Sequence, residues 1–317
     1  YGHGTHTMGT MVGDDGGANQ IGMAPGARWI GCRNMDQGNG TPATYAECYQ
    51  WFVAPTDLNN LNPDPALAPD VINNSWSCPV EEGCTDPNVL LTVVENVRAA
   101  GIVTVHSAGN SGSSCSTIST PSAIYDASFT VGSTTSTDAA SSFSSRGPVT
   151  VDGSNRMKPD IAAPGSNVRS SFPGGAYGSL SGTSMAAGVV SGVVAQVIEA
   201  NRQAALMTGR HFRLTPNAIK AILQYTAIPL QGSTGEPYDY LTQGAGSVNP
   251  VGAAALAATP SVFAQSTWPT KPVRFVVPFA PGGTSEIVAR SVAAELTKQL
   301  GQSVYVENKP GGAGVTA

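Results

Sequence analysis

Short apolar runs alternate with longer helical stretches along most of this chain. Residues 70–76 read as a buried strand that turns polar and aromatic at its carboxyl end, through Asn73, Asn74, Ser75 and Trp76. Residues 102–107 and 129–132 are further continuous apolar runs of strand length. Residues 27–33 form another short apolar run, and residues 158–165 hold a short strand between prolines. Between these lie helical patterns. Residues 41–53 have helical character, and residues 87–100 are amphipathic and stop at Gly101. A helix of small residues is expected at 1–13, and a long one at 183–203. Another begins where Thr215 can cap and Pro216 can take the first helical position. The polar stretches 14–20, 58–69, 141–148 and 174–182 read as loops. Strand, helix, strand alternation predicts an α/β fold, with a parallel central sheet covered by helices on both faces. Ligands in such folds gather at the carboxyl ends of the strands, where residues 75–77 and 107–110 fall.

Composition changes this picture little. Of 317 residues 41% are hydrophobic, enough for a substantial core, and only 12% are charged, against about 25% in an average chain. The net charge is −5 with no basic block, which argues against nucleic acid and anionic membranes as partners. No uninterrupted apolar run of about 18 residues is present, so no membrane span is expected. Five cysteines stand at 32, 48, 78, 84 and 115. Cys78 and Cys84 bracket a short acidic loop that a disulfide could close, and Cys32 with Cys48 is a second candidate pair. The alternative is five buried thiols in a reducing compartment. Zinc is not expected, because no histidine lies near the Cys78 to Cys84 loop and the spacing is not that of usual ligands.

Three segments carry candidate chemistry. Gly182-Thr183-Ser184-Met185-Ala186 places a serine where a Gly/Ser-rich loop becomes an apolar helix, and a helix amino terminus favours developing negative charge. His3-Gly4-Thr5-His6 offers a base, a metal pair that lacks a third ligand, or packed core histidines. Ser107-Ala108-Gly109-Asn110 ends a strand with an amide donor that also suits a turn. Taken in chain order, His3, then Asn110, then Ser184, and with this α/β patterning, the three segments resemble the subtilisin-like serine proteases, the subtilases, over about residues 1–250. Ile72-Asn73-Asn74-Ser75-Trp76 and the cysteine-bracketed loop resemble secreted bacterial members of the bacillopeptidase F kind.

The resemblance implies a subtilisin-like fold and hydrolysis of peptide bonds in proteins. It implies His3 as general base, His6 as a structural histidine, Ser184 as nucleophile and Asn110 as oxyanion donor. Ser75, Trp76, Ser77, Ser107, Ala108 and Gly109 match segments that line the specificity pocket and pair with substrate backbone, although Trp76 is read equally well as core packing. The family also implies secretion, a monomer and protein or peptide substrates. No cofactor is required, and calcium is expected as a structural ion without assignable ligands. Its third catalytic member, an Asp on an early strand, precedes the histidine. This chain begins two residues before His3, so that Asp and its strand are expected to be missing.

Composition shifts near Ala258, and the catalytic domain is expected to span residues 1–258. Residues 1–264 carry net −7 and residues 265–317 net +2. Residues 251–264 resemble the end of a secretory signal peptide. Residues 268–317 then resemble the opening βαβ segment of a periplasmic tricarboxylate-type solute receptor, the Bug or TctC family. That resemblance implies a strand at 273–278, a helix at 285–300 and a strand at 303–307, with glycine loops at Gly282-Gly283 and Gly311-Gly312. Residues 259–317 are thus expected to be a separate fragment that does not form a working binding site.

Overall fold

The computed structural model describes residues 2–209, 213–232, 235–259, 272–277 and 303–309, with Glu286, Ala289, Arg290, Ala293, Ala294 and Thr297. They fall into two compact units, Tyr1–Thr259 and Pro260–Ala317.

The first unit is built on four parallel strands in the order β1 (Val71–Asn74), β2 (Val103–Ser107), β3 (Phe129–Thr134) and β4 (Ile161–Pro164). Asn74 stands beside His106, and His106 beside Thr130, so the carboxyl ends of the strands emerge together. Strands β2 and β3 are buried along their whole length. That explains why they read as continuous apolar runs and do not alternate.

Helices cover both faces of this sheet. α2 (Pro42–Val53) starts from a reciprocal cap: Thr44 N–H donates to Thr41 Oγ1 at 3.2 Å, and Thr41 N–H to Thr44 Oγ1 at 3.0 Å. Tyr45 and Tyr49 of α2, with Val94 and Val97 of α3 (Leu91–Ala99), pack in one core with Ile72 of β1. The next residue, Asn73, points to the opposite face, as strand geometry requires. There its side chain meets Ser191 of the long helix α4 (Thr183–Thr208). By length and composition α4 could cross a membrane. In this fold it packs against all four strands, and most of its first half is buried.

α1 (His3–Val12) lies along α4 because both helices present small residues at the crossing. A Cβ added at Gly188 would sit 3.2 Å from Thr7 O, and one at Gly192 would sit 3.2 Å from Met11 O. The two helices therefore advance in the same direction, four residues for four. Continued one turn back along both helices, that register would bring His3 level with Ser184. α5 (Pro216–Thr226) is capped by Thr215 as the sequence predicts. A single turn, α6 (Tyr240–Gln243), is capped by Asp239. α7 (Pro250–Ala258), capped by Asn249, buries Ala253 and Ala257 and packs on α4 and α5. Residues 251–258 of the signal-peptide-like segment thus take a place in the first unit.

Two elements differ from the sequence reading. Residues 174–182 were expected as a loop. They include the second strand of an antiparallel hairpin, β5 (Val168–Phe172) with β6 (Ala176–Leu180). The turn uses Gly174 and Gly175, both at positive φ, but Ala176-Tyr177-Gly178-Ser179 lacks the apolar alternation that would have marked a strand. Residues 27–33, expected as a strand, form none: their apolar run has no ladder partner, and Trp29 and Ile30 are 59% and 42% exposed.

Cys32–Cys48 and Cys78–Cys84 form disulfides, with Cα separations of 5.8 Å and 5.7 Å. Cys115 is free and exposed. In the second unit, β7 (Val273–Val277) pairs in parallel with β8 (Val304–Asn308), Val273 beside Val304. Most of the expected helix at 285–300, and both glycine loops, lie outside the described residues.

Candidate active site

Ser184 is the second residue of α4, and Gly182 before it is extended. The first-turn N–H groups of a helix have no intrahelical acceptor and carry its positive partial charge, so the Ser184 hydroxyl sits in a field that favours anions. The residue is 8% exposed.

The end of β2 is fastened directly to this turn. Asn110 Oδ1 accepts from Thr183 N–H at 2.9 Å and from the Thr183 hydroxyl at 3.0 Å. The same hydroxyl accepts from Gly109 N–H at 3.1 Å. With its oxygen doubly engaged, the carboxamide turns Nδ2 outward, and a Cβ on Gly182 would lie 3.4 Å from it. Asn110 is exposed, so its two N–H donors face the open side of the helix start. Gly109 adopts φ +103°, and a side chain there would press on Ser145 Oγ at 2.9 Å. Ser145 in turn accepts from Ser111 N–H at 3.0 Å and donates its own N–H to Gly109 O at 3.0 Å.

A second chain of bonds ties β1 to α4. The Ser191 hydroxyl donates to Asn73 Oδ1 (3.1 Å), Asn73 Nδ2 to Ser75 Oγ (2.9 Å), and the Ser75 hydroxyl to Ser184 O (2.9 Å). Beyond it, Trp76 stacks on Tyr45 at 4.0 Å with edge contacts to Tyr49 and His106. The Tyr45 hydroxyl donates to Glu82 Oε2 at 2.5 Å and lies 3.3 Å from Ser77 O. Burial, then the Glu82 carboxylate, pushes the Tyr45 hydroxyl pKa up, so it stays a donor. Ser77 is exposed, whereas Ser107 and Ala108 are buried and the Ala108 N–H is held by Val131 O. The part of that segment open to a ligand therefore starts at Gly109.

The two histidines of α1 differ. His6 is fully buried; its Nε2 lies 3.0 Å from Val168 O and its Nδ1 has no partner. His3 is exposed, with no hydrogen-bond partner among the described residues. Desolvation, then the nearby His6, lowers its pKa, which favours the neutral imidazole. Asp14 and Asp15, at the far end of α1, are engaged in their own turn through Gly16, Gly17 and Asn19. Among the described residues no group of three or more His, Cys, Asp or Glu side chains stands together.

Structure thus brings Ser184, Asn110, Gly109 and Ser75 together through shared bonds, with His3 on the neighbouring helix α1. Three positioning residues escaped the sequence reading. Thr183 had a visible signal, a hydroxyl next to the serine at a helix start. Asn73 and Ser191 had none, because their pairing spans 118 residues.

A sequence model of the subtilase family, peptidase S8, matches residues 1–253. Bacillopeptidase F of Bacillus subtilis (strain 168) is 40% identical over 240 residues, covering 73% of this chain and 15% of that protein. Subtilisin E of the same organism is 32% identical over 234 residues, covering 73% of this chain and 52% of that protein. The chain thus spans about half the length of subtilisin E and far less of bacillopeptidase F. Among solved structures, the prenylagaramide maturation protease PagA superposes with a TM-score of 0.63 at 22% identity, covering 82% of this chain and 83% of that one. The protease domain of PatA, as its S218A mutant, gives 0.61 at 24% identity, with 81% and 80% covered. At these identities the two structures speak for the fold alone.

Proposed function

The chain belongs to the subtilase family, and on that premise we propose that its first unit is a serine endopeptidase domain acting on proteins or peptides through an acyl-enzyme. Ser184 attacks the scissile carbonyl. His3, on the neighbouring helix α1, takes the hydroxyl proton and later returns it to the leaving amine, so that no proton is left over. Asn110 Nδ2 and the Ser184 N–H receive the oxyanion. Ser75, Trp76, Ser77 and Gly109 flank the bound backbone. The observation that carries this reading is the double hold of Thr183 on Asn110 Oδ1, which leaves the carboxamide donors free beside the serine before any substrate arrives. No cofactor enters the chemistry. Two disulfides suit an oxidising compartment, and we place the protein outside the cell, as a monomer.

A second reading is a cleft that binds peptide and acylates without useful turnover. It is favoured by the lack of any carboxylate bonded to His3 among the described residues, since an orienting carboxylate also stabilises the imidazolium. Stopped-flow hydrolysis of an activated peptide ester separates the two. Continued release after the first equivalent is expected for the protease, and a stoichiometric burst alone for the second reading. The absence of any burst in folded protein, or an unchanged one in Ser184→Ala, contradicts both.

A further inference from the structure

One stretch of chain, residues 165–184, grips the helix of His3 and ends on Ser184. Its strand β5 lies against α1. Val168 O accepts from His6 Nε2 at 3.0 Å, the Ser170 hydroxyl donates to His6 O at 2.8 Å and the Ser171 hydroxyl to Thr5 O at 3.2 Å. Phe172 meets the His6 ring edge-on, with centroids 5.4 Å apart. These contacts exist because α1 is bare on this face. A Cβ at Gly9 would run into both serine hydroxyls, and one at Gly2 into the Phe172 ring. Beyond α1, the same hairpin holds the loop that follows: Arg169, over the Tyr177 ring at 4.7 Å, donates to Asn19 Oδ1 at 2.7 Å. The open end of the hairpin is fastened to the serine turn. Asn167 N–H donates to Ser181 Oγ and Gly182 N–H to Gly165 O, both at 2.8 Å, and α4 begins at the next residue, Thr183.

We propose that Ser170 and Ser171 are positioning residues for His3, and that the β5–β6 hairpin is the strut that sets the base against the nucleophile. The proposal rests on the catalytic reading of His3 and Ser184. Among the described residues no side chain bonds to the His3 ring, so the place of the ring follows from the place of its helix. Thr5 and His6 lie within one turn of His3, and fixing their carbonyls fixes the Cα from which the ring projects. Packing of α1 on Gly188 and Gly192 of α4 is non-directional, whereas the two hydroxyl bonds choose one register along the helix. A reacting group displaced by about 1 Å can cost about a hundredfold in rate, so a small loss of register is enough to be read in kinetics.

The test follows acylation of the whole chain by an activated peptide ester in stopped flow, which separates the acylation rate constant from the substrate dissociation constant. Each variant is first shown to unfold cooperatively in urea. Ser170→Ala is expected to acylate about tenfold more slowly, with affinity changed by less than about twofold. Ser171→Ala is expected to lose about threefold, and Ser171→Thr, which keeps the hydroxyl, to stay within about twofold of the parent chain. In a His3→Ala background neither loss is expected, because the hydroxyls act through that residue. Ser170 is fully buried and Ser171 half-buried, so the Ser171 pair decides the matter if Ser170→Ala does not fold. Three results overturn the proposal: unchanged acylation in the alanine variants; rate and affinity lost together; or the same losses in the His3→Ala background. His3→Ala acylating as fast as the parent chain would contradict the catalytic reading itself, and the strut with it.

Discussion

The two sides of the cleft are built to different standards. On the side of Ser184, the helix start, the end of β2 and the end of β1 share at least six hydrogen bonds, which fix Thr183, Asn110, Gly109, Asn73 and Ser75 against one another. On the side of His3, the ring has no hydrogen-bond partner among the described residues, the β1 edge is open and the apolar run 28–33 is exposed. Donors that receive charge act best when they are held before the reaction, and that side is already held. A base works through its orientation, and among the described residues no side chain bonds to the histidine to supply it. A family-typical serine motif can therefore be fully organised while its partner across the cleft is not.

If the organised side is as rigid as its bonds imply, damage to the sheet beneath it should cost most. Asp160 is buried under β3 and β4; it accepts from Thr130 N–H at 2.7 Å and pairs with Lys158 at 2.5 Å and Lys220 at 2.7 Å. Asp160→Ala would leave the fully buried Lys158 ammonium without its counter-charge, and is expected to cost about 4 kcal/mol in urea unfolding. A cost near zero would show that the cluster is not part of the organised side.

His106 gives the next largest effect, and it depends on pH. Burial first, then the nearby Lys158 charge, lowers its pKa to about 4. The unfolded chain binds this proton near pH 6.5 and the folded chain only near 4, so stability is full above pH 6.5 and falls as the pH drops towards 4. The loss over that window is expected to be about 3 kcal/mol, from 1.36 kcal/mol per pKa unit. His106→Leu, similar in bulk and unable to charge, should flatten this part of the stability profile. A profile unchanged by the substitution would contradict the assignment. On the open side the expectation is the reverse: Trp29→Ser should change stability by less than about 0.5 kcal/mol, because the ring has little packing to lose. A cost above about 2 kcal/mol would erase the contrast between the two sides.

Much of the organised side was legible in the sequence. The apolar runs of β1, β2 and β3 and the caps Thr41 and Thr215 are local signals, and local signals survive folding. Ser184 and Asn110 were visible because each closes one element and opens another. What stayed hidden depends on distant partners. Nothing near Asn73 announces Ser191, and nothing near Tyr45 announces Trp76 or Glu82. The hairpin residues Ala176 to Leu180 are strand only because Val168 to Phe172 lie beside them. Residues 27–33 fail the opposite way: their local pattern favours a strand, and no neighbour completes it.

The central claim is that Ser184 is a nucleophile held ready by the bonds around Thr183 and Asn110. Incubating the folded chain with a fluorophosphonate and mapping the adduct by peptide mass analysis tests it most directly. One adduct per chain, on Ser184, is expected, absent in Ser184→Ala and slower in Thr183→Val. An adduct on another residue, labelling that survives Ser184→Ala, or no adduct on folded protein would contradict the account.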